Sequence, residues 1–453
     1  MTTLPSDRPE TAFADKKPLL SAAEAHAEAE RCLYCADAPC VKACPTSIDV
    51  PGFIKRIASG NVRGSARTIL EQNILGYSCA RVCPVEVLCE GACVYEAWQK
   101  KPIAIGRLQR FAVERGTEGL ERAILAPKAR SGRRVACVGG GPASLAFAAG
   151  MALEGHEAVV LEQRALPGGL NTTGIAPYKL QADASLRELA WVRSLGVQVR
   201  TGIEVGREVP GAALLAEFDA VFLGLGLGED ARLGIPGEDG PGVVGATAWI
   251  EALKTAPGAR PQLGRVIVVG GGNTAIDVAR ECAQLGASEV TMLYRRGVES
   301  MSGYAHEMDA ARKEGVRLET YARPVAIVRD ERGDVSGLRA AFGGPEAAPD
   351  DGTSEATPRR GQNLEERELA CDWVAVAIGQ SKLRDVALQF PGVALDARGC
   401  VVADPQTGAT GHPKVYSGGD CVNGGKEVVN AVADGRNAAR HLSAQWAPSA
   451  RER

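Results

Sequence analysis

Hydrophobic and polar positions change their spacing near residue 130, so the two parts of the chain predict different structures. Before this point, segments such as 21–31 and 62–72 have the spacing of amphipathic helices and are separated by Pro and Gly. After it, short apolar runs alternate with Ala-rich helical segments. The pattern predicts a small α-helical domain followed by α/β domains.

A unit of apolar strand, Gly-rich turn and Ala-rich helix occurs twice, beginning at Arg133 and at Arg265. The second copy lies between two segments, 220–228 and 373–380, which both end an apolar strand in a Gly-containing turn. This order predicts two Rossmann-like dinucleotide-binding domains, one inserted in the other. The expected boundaries are 1–130 for the helical domain, 131–245 and 371–453 for the first nucleotide domain, and 246–370 for the inserted domain.

Composition and charge exclude several classes of function. The 453 residues include 52 basic and 55 acidic side chains, a near-balance that argues against binding to nucleic acid or to a membrane surface. The N-terminus is polar and no apolar stretch is long enough to span a bilayer, so we expect a cytoplasmic protein. The polar segment 343–366, rich in Gly and Pro, predicts a mobile hairpin loop without chemistry.

Eight of the 13 cysteines fall in two runs near the N-terminus. The runs are Cys32-x2-Cys35-x4-Cys40-x3-Cys44-Pro45 and Cys79-x3-Cys83-Pro84-x4-Cys89-x3-Cys93. In the cytoplasm such clusters indicate metal ligands or redox centres rather than disulfides. The first run resembles the bacterial ferredoxin pattern with one spacing widened, which assigns Cys44 to a second cluster. Iron-sulfur clusters are favoured over structural zinc, the alternative, because zinc usually takes two C-x2-C pairs and only one is present.

The first Gly-rich turn predicts a pyrophosphate site. A strand runs into Gly139-Gly-Gly141-Pro-Ala-Ser144, whose backbone amides and following helix N-terminus can bind phosphate. Ser144 replaces the third glycine and is still small enough for the helix to pack on the strand. The next strand ends at Glu162, which is placed to accept hydrogen bonds from a ribose hydroxyl. The alternative is a structural turn with no ligand.

The second Gly-rich turn, Gly270-Gly-Gly272-Asn273-Thr274, is followed by a strand that ends in Tyr294-Arg295-Arg296 instead of an acid. Arginines bind a 2′-phosphate and so favour NADP; the alternative is two solvated surface arginines. Two dinucleotide sites in one chain imply one flavin and one nicotinamide, because hydride transfer needs a donor and an acceptor. The later pair Gly419-Asp420 also fits a flavin site, with Asp420 accepting from a ribityl hydroxyl.

Several stretches resemble the glutamate synthase small-subunit family, and within it the small subunits of bacterial dihydropyrimidine dehydrogenases. The stretches shared by both branches are 32–45, 79–93, 101–111, 168–175, 234–239 and 270–277. Two others, 223–227 and 418–430, favour the pyrimidine branch. A rival of another class is an electron carrier or a zinc-stabilised binding module with purely structural turns, and it predicts no flavin colour.

The resemblance implies FAD, two 4Fe-4S clusters and NAD(H) or NADP(H) as cofactors. It assigns Cys32, Cys35, Cys40 and Cys93 to cluster one, and Cys44, Cys83, Cys89 and the amide oxygen of Gln109 to cluster two. Cys79 is then a bystander, although its thiol is the alternative to Gln109. The residues predicted to contact the dinucleotides are Gly139, Gly141, Pro142, Ala143, Ser144, Glu162, Gly169, Leu170, Gly270, Gly272, Asn273, Thr274, Asp277, Arg295, Arg296, Gly379, Gly419 and Asp420.

The resemblance also implies a partner. Electrons would pass from nicotinamide through FAD and the clusters to an FMN- and iron-sulfur-containing large subunit that interconverts uracil or thymine and their 5,6-dihydro forms, within a hetero-oligomer. The alternative partner is a glutamate-forming large subunit. The animal NADP enzyme has a further arginine where this chain has Ser302, which favours NAD here. No catalytic acid or base is predicted, because hydride transfer itself requires none.

Overall fold

The computed structural model describes residues 4–118, 124–258, 260–343 and 365–447, which form an N-terminal helical domain and two α/β domains. The helices are α1 (Ala22–Glu30), α2 (Pro39–Lys42), α3 (Val50–Ala58), α4 (Val62–Leu70), α5 (Gly76–Val82), α6 (Val94–Ala97), α7 (Ile105–Gly116), α8 (Pro142–Leu153), α9 (Leu170–Thr173), α10 (Ala182–Ser194), α11 (Gly211–Glu217), α12 (Ala246–Thr255), α13 (Asn273–Gln284), α14 (Ala305–Lys313), α15 (Arg384–Ala387), α16 (Asp420–Asn423) and α17 (Val428–Trp446). Short 3-10 helices cover Pro9–Ala12, Val85–Val87 and Val298–Ser300.

The strands are β1 (Arg134–Val138), β2 (Glu157–Glu162), β3 (Gln198–Thr201), β4 (Ala220–Leu223), β5 (Val243–Gly245), β6 (Arg265–Val269), β7 (Glu289–Tyr294), β8 (Arg317–Thr320), β9 (Ala322–Arg329), β10 (Val335–Phe342), β11 (Glu365–Ala370), β12 (Trp373–Val376) and β13 (Val415–Ser417). They form two five-stranded parallel sheets and one three-stranded antiparallel sheet. This is the α/β class expected from the sequence, preceded by the predicted helical domain.

The helical domain is held together by the apolar faces of its longer helices. Ser21 and Glu24 form a capping box that starts α1, and the side chains of Asp49 and Asn61 cap α3 and α4. These caps satisfy amide groups that the helices leave unpaired at their N-termini. Helices α3, α4 and α7 pack together, with Phe53 and Leu108 fully buried between them. The segments that carry the cysteines, which include α2 and α5, pack against this core.

The first nucleotide-binding sheet has the strand order β13-β4-β1-β2-β3 with parallel pairing throughout. Its central strand β1 buries Val135, Ala136 and Cys137 completely, as expected for a strand covered on both faces. Because β1, β4 and β13 are parallel, their carboxyl ends lie at one edge. The turns that follow them therefore meet there.

The second parallel sheet has the order β5-β12-β6-β7-β8, and it corrects two of the domain boundaries predicted from the sequence. Strand β12 was assigned with segment 373–380 to the first nucleotide domain, but its residues pair with those of β6 in the inserted domain. Strand β5 also pairs with β12 in this sheet, although the predicted boundary at residue 245 placed it in the first nucleotide domain. The chain returns to the first sheet at β13, so one domain is inserted in the other as predicted.

Two antiparallel connections join the nucleotide domains. Asp230 and Gln380 form an isolated bridge, Gly228 N–H donates to Ser381 O over 2.9 Å, and Ala231 N–H donates to Gly379 O over 2.8 Å. Two connecting segments that are hydrogen-bonded to each other bend less freely than two separate linkers. The domain orientation is therefore supported at this junction.

The predicted loop 343–366 lies between the antiparallel strands β10 and β11. Residues 344–364 are outside the described residues, and Glu365 and Glu366, which were placed in the loop, begin β11 instead. None of the helices in the described ranges has both the length and the apolar character needed to cross a bilayer.

Candidate functional site

The first Gly-rich turn is built against the end of β2 and the segment after β4. Gly139 has φ +92°, and a Cβ there would lie 2.5 Å from Gly224 O. Gly140 N–H donates to Glu162 Oε2 over 2.7 Å, and Glu162 Oε1 accepts from Arg164 N over 2.8 Å. The carboxylate at the end of β2 thus fixes the turn, and only glycine fits at its first position.

Segment 168–170 packs against this turn. Gly168 N–H donates to Gly140 O over 2.9 Å, and a Cβ on Gly169 would lie 2.8 Å from Gly141 Cα. Gly169 precedes Leu170, the first residue of α9. The segment 168–170 therefore lies directly against the N-terminus of α8, where backbone amides face a bound phosphate in this type of turn.

Another segment, at the carboxyl end of β13, packs against the start of α8: a Cβ on Gly419 would lie 3.0 Å from Ala143 Cβ. Gly419 N–H donates to Asp434 Oδ2 over 2.9 Å, and Asp420 Oδ1 accepts from Lys426 N over 3.1 Å. Burial raises the pKa of Asp420. The hydroxyl of Ser144 in the first turn of α8 is buried and has no hydrogen-bond partner among the described residues. Close-packed glycines, a helix N-terminus and an unpaired hydroxyl fit the phosphate and ribityl parts of FAD.

The second Gly-rich turn has different neighbours. A Cβ on Gly270 (φ +151°) would lie 2.3 Å from Ala377 O, and one on Gly271 would meet the Tyr294 ring at 2.5 Å. Gly272 precedes α13, with Ser302 Oγ 3.3 Å from its would-be Cβ. Thr274 is exposed in the first turn of that helix. This geometry fits the pyrophosphate of a second dinucleotide.

Segment 302–304, which carries no recognisable sequence motif, covers this turn. Gly303 N–H donates to Gly271 O over 3.0 Å, and Tyr304 N–H donates to Asn273 Oδ1 over 2.9 Å. The phenol of Tyr304 then donates to Glu427 Oε1 over 2.8 Å, in the first nucleotide domain. Only Ser302 in this segment was identified from the sequence.

The two arginines after β7 differ in exposure. Arg295 is exposed, whereas the Arg296 guanidinium is half-buried with its carbon 5.6 Å from the centre of the Tyr294 ring. Arg296 Nε is buried and has no hydrogen-bond partner in the described part of the chain. Both follow the strand next to β6, at the same sheet edge as the second turn.

Asp277 was predicted to contact a cofactor, and its carboxylate has partners from the other nucleotide domain. Asp277 Oδ1 accepts from Tyr178 Oη over 2.6 Å and lies 2.7 Å from Lys179 Nζ. Lys179 also pairs with Glu307 at 3.1 Å. Burial opposes ionisation of Glu307, but Lys179 and Lys16 lower its pKa to about 2.

A buried lysine that the sequence analysis missed strengthens the same interface. Lys254 on α12 is 0 % exposed, and its ammonium donates to the carbonyl oxygens of Asn171, Ile175 and Leu180 over 2.7–3.2 Å. Burial lowers its pKa to about 8. Gly379, predicted as a cofactor residue, has φ +112° and lies in the interdomain connection, with open space where a Cβ would stand.

The cysteines assigned to cluster one line a single cavity. Cys32 and Cys35 lie after α1, Cys40 is in α2, and Cys93 precedes α6; all four border the cavity together with Ile54 and Tyr95. Burial, followed by the neighbouring Cys32 and Cys93, raises the pKa of Cys40 to about 11. Iron must therefore displace protons from thiols that have little tendency to ionise alone.

The three cysteines assigned to cluster two are all partly buried. Burial and the neighbouring thiols of Cys83 and Cys44 raise the pKa of Cys89. A hydrogen bond with the Cys79 thiol, then burial, raises that of Cys83, and the Cys83 carbonyl accepts from Lys17 Nζ over 3.0 Å. Cys79 is thus adjacent to this group, a contact that spacing alone did not predict.

Gln109 is buried on α7 beside the helix that carries Cys79. Its amide nitrogen Nε2 donates to Gly76 O over 2.9 Å, which leaves the amide oxygen as the atom available to a ligand. Among the described residues, no three His, Cys, Asp or Glu side chains are close enough to hold a single metal ion. A 4Fe-4S cluster does not need such proximity, because each of its four protein ligands binds a different iron.

Family comparisons match both parts of the chain. Residues 9–119 match the model described as dihydropyrimidine dehydrogenase domain II, 4Fe-4S cluster, and residues 133–435 match pyridine nucleotide-disulphide oxidoreductase. The chain is 33% identical to the Escherichia coli glutamate synthase [NADPH] small chain over 92% of its own length and 91% of that protein. The chain belongs to the glutamate synthase small-subunit family.

Another relative in this family is the E. coli NAD-dependent dihydropyrimidine dehydrogenase subunit PreT, 32% identical over 92% of both chains. Among solved structures, T. acidophilum thioredoxin reductase shares the nucleotide-binding fold, with a TM-score of 0.54, 20% identity, and coverage of 69% of this chain and 99% of that one. The family and the two domain matches make this chain an NAD(P)-dependent electron-transfer subunit with FAD and 4Fe-4S clusters.

Proposed function

We propose that this chain is the electron-delivering subunit of a dihydropyrimidine dehydrogenase. It takes hydride from NADH onto FAD and passes single electrons through cluster two and cluster one to an FMN-containing large subunit. The observation that carries the path is the position of Tyr304, whose backbone is bound to the second Gly-rich turn through Asn273 and whose phenol binds Glu427. Burial, the hydrogen bond to Glu427 and the Cys83 thiol each raise the pKa of Tyr304.

The choice of the pyrimidine branch is supported by how its two distinguishing stretches meet. Gly418 N–H donates to Leu223 O over 3.3 Å, and Cys421 Sγ donates to the same carbonyl over 3.4 Å. Stretches 223–227 and 418–430 are thus in contact with each other beside the first Gly-rich turn. The two stretches that resemble the pyrimidine branch therefore belong to one structural feature. A glutamate synthase small subunit is the second candidate, favoured by the 33% identity to that chain.

We assign the ligands as the family pattern implies. Cluster one takes the four cysteines of its cavity. Cluster two takes Cys44, Cys83, Cys89 and Gln109 Oε1. The choice of Gln109 is supported by the hydrogen bond from its Nε2 to Gly76 O, which leaves the amide oxygen free to bind iron. Replacing Gln109 with Leu should lower the iron content from about eight toward four per chain, with flavin reduction by nicotinamide intact. Unchanged iron in this variant, together with iron loss in Cys79→Ser, would assign the site to Cys79.

The FAD contacts are assigned to the first turn, segment 168–170 and the pair Gly419-Asp420. The nicotinamide contacts are assigned to Gly270, Gly272, Asn273 and Thr274, with NAD as the preferred carrier. Ser302, which stands where the animal NADP enzyme has an arginine, lies beside Gly272. A serine there offers no positive charge to a 2′-phosphate, which supports NAD.

The partner is tested with the purified holoprotein and candidate large subunits. Alone, the chain should reduce artificial acceptors with NADH but should neither consume uracil nor oxidise dihydrouracil. Addition of an FMN- and iron-sulfur-containing large subunit should start uracil-dependent NADH oxidation. Uracil turnover by this chain alone would contradict the proposal. Activity that responds instead to glutamine and 2-oxoglutarate would assign the chain to the glutamate synthase branch.

A further inference from the structure

The two predicted clusters differ in their surroundings, and cluster one borders an exposed aromatic surface. Leu33 and Tyr34, between Cys32 and Cys35, are 46 % and 37 % exposed, and Trp98, five residues after Cys93, is 57 % exposed. The Trp98 ring meets Tyr95 edge-on at 5.8 Å, and both Leu33 and Tyr95 border the cysteine cavity. We call Leu33, Tyr34, Tyr95 and Trp98 the aromatic patch.

The backbone around the aromatic patch is held in unusual conformations. Tyr34 has φ +51° and Gln99, next to Trp98, has φ +56°. Such conformations are strained for residues other than glycine and persist only where neighbouring structure enforces them, often at functional sites. Here Tyr34 Oη donates to Ala29 O over 3.2 Å, and Tyr95 Oη donates to Arg31 O over 3.0 Å. The patch is therefore presented in a fixed form.

Positive charge lies along one side of the aromatic patch. Lys100 Nζ stands 6.0 Å from the centre of the Trp98 ring, and Lys101 follows it; both side chains are exposed. Within the described ranges neither lysine forms an ion pair, whereas Lys42 near the same cavity is neutralised by Asp37 at 2.6 Å. Glu96 is the exposed carboxylate on the Trp98 turn. The two free lysines favour a partner surface that carries carboxylates.

We infer that the aromatic patch with Lys100 and Lys101 is the docking surface for the electron-accepting large subunit, which contacts it through an apolar centre and an acidic rim. An apolar core with a charged rim is the usual anatomy of a protein interface, and complementary charges raise the rate of encounter. The proposal rests on the proposed function in one respect, that electrons leave this chain to a protein. It adds where they leave.

The test uses the holoprotein with two acceptors: plastocyanin, an acidic one-electron blue-copper protein, as the probe of docking, and ferricyanide as a small acceptor. Trp98→Gln and the double change Lys100→Glu with Lys101→Glu should each lower kcat/KM for plastocyanin about tenfold or more, as for a contact of ~1.4 kcal/mol. Flavin reduction by NADH, iron content and the ferricyanide rate should stay at wild-type values. Trp98→Phe should largely restore the plastocyanin rate.

The matched control is Leu388→Gln, because Leu388 is 58 % exposed but lies in the first nucleotide domain rather than in the helical domain that carries the predicted clusters. It should leave every rate unchanged. Equal plastocyanin kinetics in wild type, Trp98→Gln and Leu388→Gln would overturn the docking surface. A wild-type dimer that Trp98→Gln converts to monomer, with unchanged plastocyanin kinetics, would also overturn it and assign the patch to self-association.

A second arm separates this proposal from the proposed function. If a dihydropyrimidine dehydrogenase large subunit restores uracil turnover to wild type but needs a much higher concentration with Trp98→Gln, both proposals hold. If it restores turnover equally to both, the docking surface is wrong and the function stands. If no such subunit restores turnover, the function is wrong, and the plastocyanin rates still decide the docking surface.

Discussion

The two Gly-rich turns follow the same order of strand, turn and helix, yet the structure surrounds them differently. The first turn is fixed by a carboxylate, since Glu162 Oε2 accepts a hydrogen bond from Gly140 N–H over 2.7 Å. The second has no acid; the ring of Tyr294 lies under Gly271, and the segment 302–304 covers it from the inserted domain itself. If the first turn binds flavin and the second nicotinamide, as proposed, the residue at the end of the second strand distinguishes the two sites more than the glycines do.

The turns also differ in how they are tied to the rest of the molecule. Two segments of the same domain, 168–170 and the start of α16, lie against the first turn, as expected for a resident cofactor. The helix after the second turn is tied across domains instead, through Asp277 to Tyr178 and Lys179. In the proposed assignment the flavin site is therefore completed within one domain, whereas the helix of the nicotinamide site is oriented by contacts across the domain interface.

The largest effect is expected at Gly139. An alanine there requires φ +92° and places a Cβ 2.5 Å from Gly224 O, so we expect a loss of about 3 kcal/mol or more and a protein that is poorly folded or free of flavin. The matched change Gly272→Ala meets Ser302 Oγ only at 3.3 Å, with an ordinary φ of −94°. It should retain flavin and raise only the KM for nicotinamide. Equal flavin loss in both variants would contradict the comparison.

Glu162→Gln comes next. The change keeps the shape but replaces one carboxylate oxygen with an NH2 group, so one of the Gly140 and Arg164 amides loses its acceptor and the other keeps only a neutral one. We expect flavin affinity to fall about tenfold to a hundredfold, about 1–3 kcal/mol. Glu157→Gln, at the exposed start of the same strand, is the control. The flavin Kd measured by fluorescence of released FAD decides the matter; an unchanged Kd would remove Glu162 from the flavin site.

Asp277→Asn distinguishes an interface residue from a cofactor contact. It removes the charge that pairs with Lys179 while keeping an acceptor for Tyr178, so we expect about 1–2 kcal/mol of destabilisation and a lower Tm. The KM for nicotinamide should change less than twofold if the carboxylate acts between domains. A KM that rises tenfold with an unchanged Tm would support the sequence-based prediction of a cofactor contact.

The smallest overall change is expected from Arg295→Ala, because Arg295 is exposed and makes no described ion pair that holds the fold. If its guanidinium faces a 2′-phosphate, KM should rise several-fold for NADPH and stay constant for NADH. Both values come from one dye-reduction assay, with wild type showing the lower KM for NADH. Equal changes for both carriers would make Arg295 a structural residue.

Much of this arrangement could be predicted from the sequence because it depends on local pattern. Parallel strands buried on both faces, glycines before a helix and closely spaced cysteines are all visible in a single stretch of residues. Strand β12 was assigned to the wrong sheet because a four-residue apolar strand before a Gly-containing turn looks the same in either domain. Its pairing with β6 is a long-range choice that periodicity does not encode.

The interdomain contacts could not be predicted for a related reason. Lys254 is a residue type expected at the surface, yet it is fully buried because three carbonyl oxygens converge on its ammonium. Those carbonyls belong to α9 and the segment that follows it, 74 to 83 residues earlier in the chain. The cover formed by Tyr304 likewise depends on Glu427, 123 residues away. Neither partnership leaves a motif.

The central claim is that electrons enter as hydride at the second turn and pass singly from the flavin through cluster two to cluster one. Anaerobic rapid mixing of the holoprotein with NADH and plastocyanin follows both steps, as bleaching of the flavin band and bleaching of the copper. For Cys44→Ala, which removes a predicted cluster-two ligand, we predict flavin bleaching within about twofold of wild type and copper reduction slowed at least a hundredfold. Wild-type copper reduction in this variant, or an equal slowing of both steps, would contradict the account.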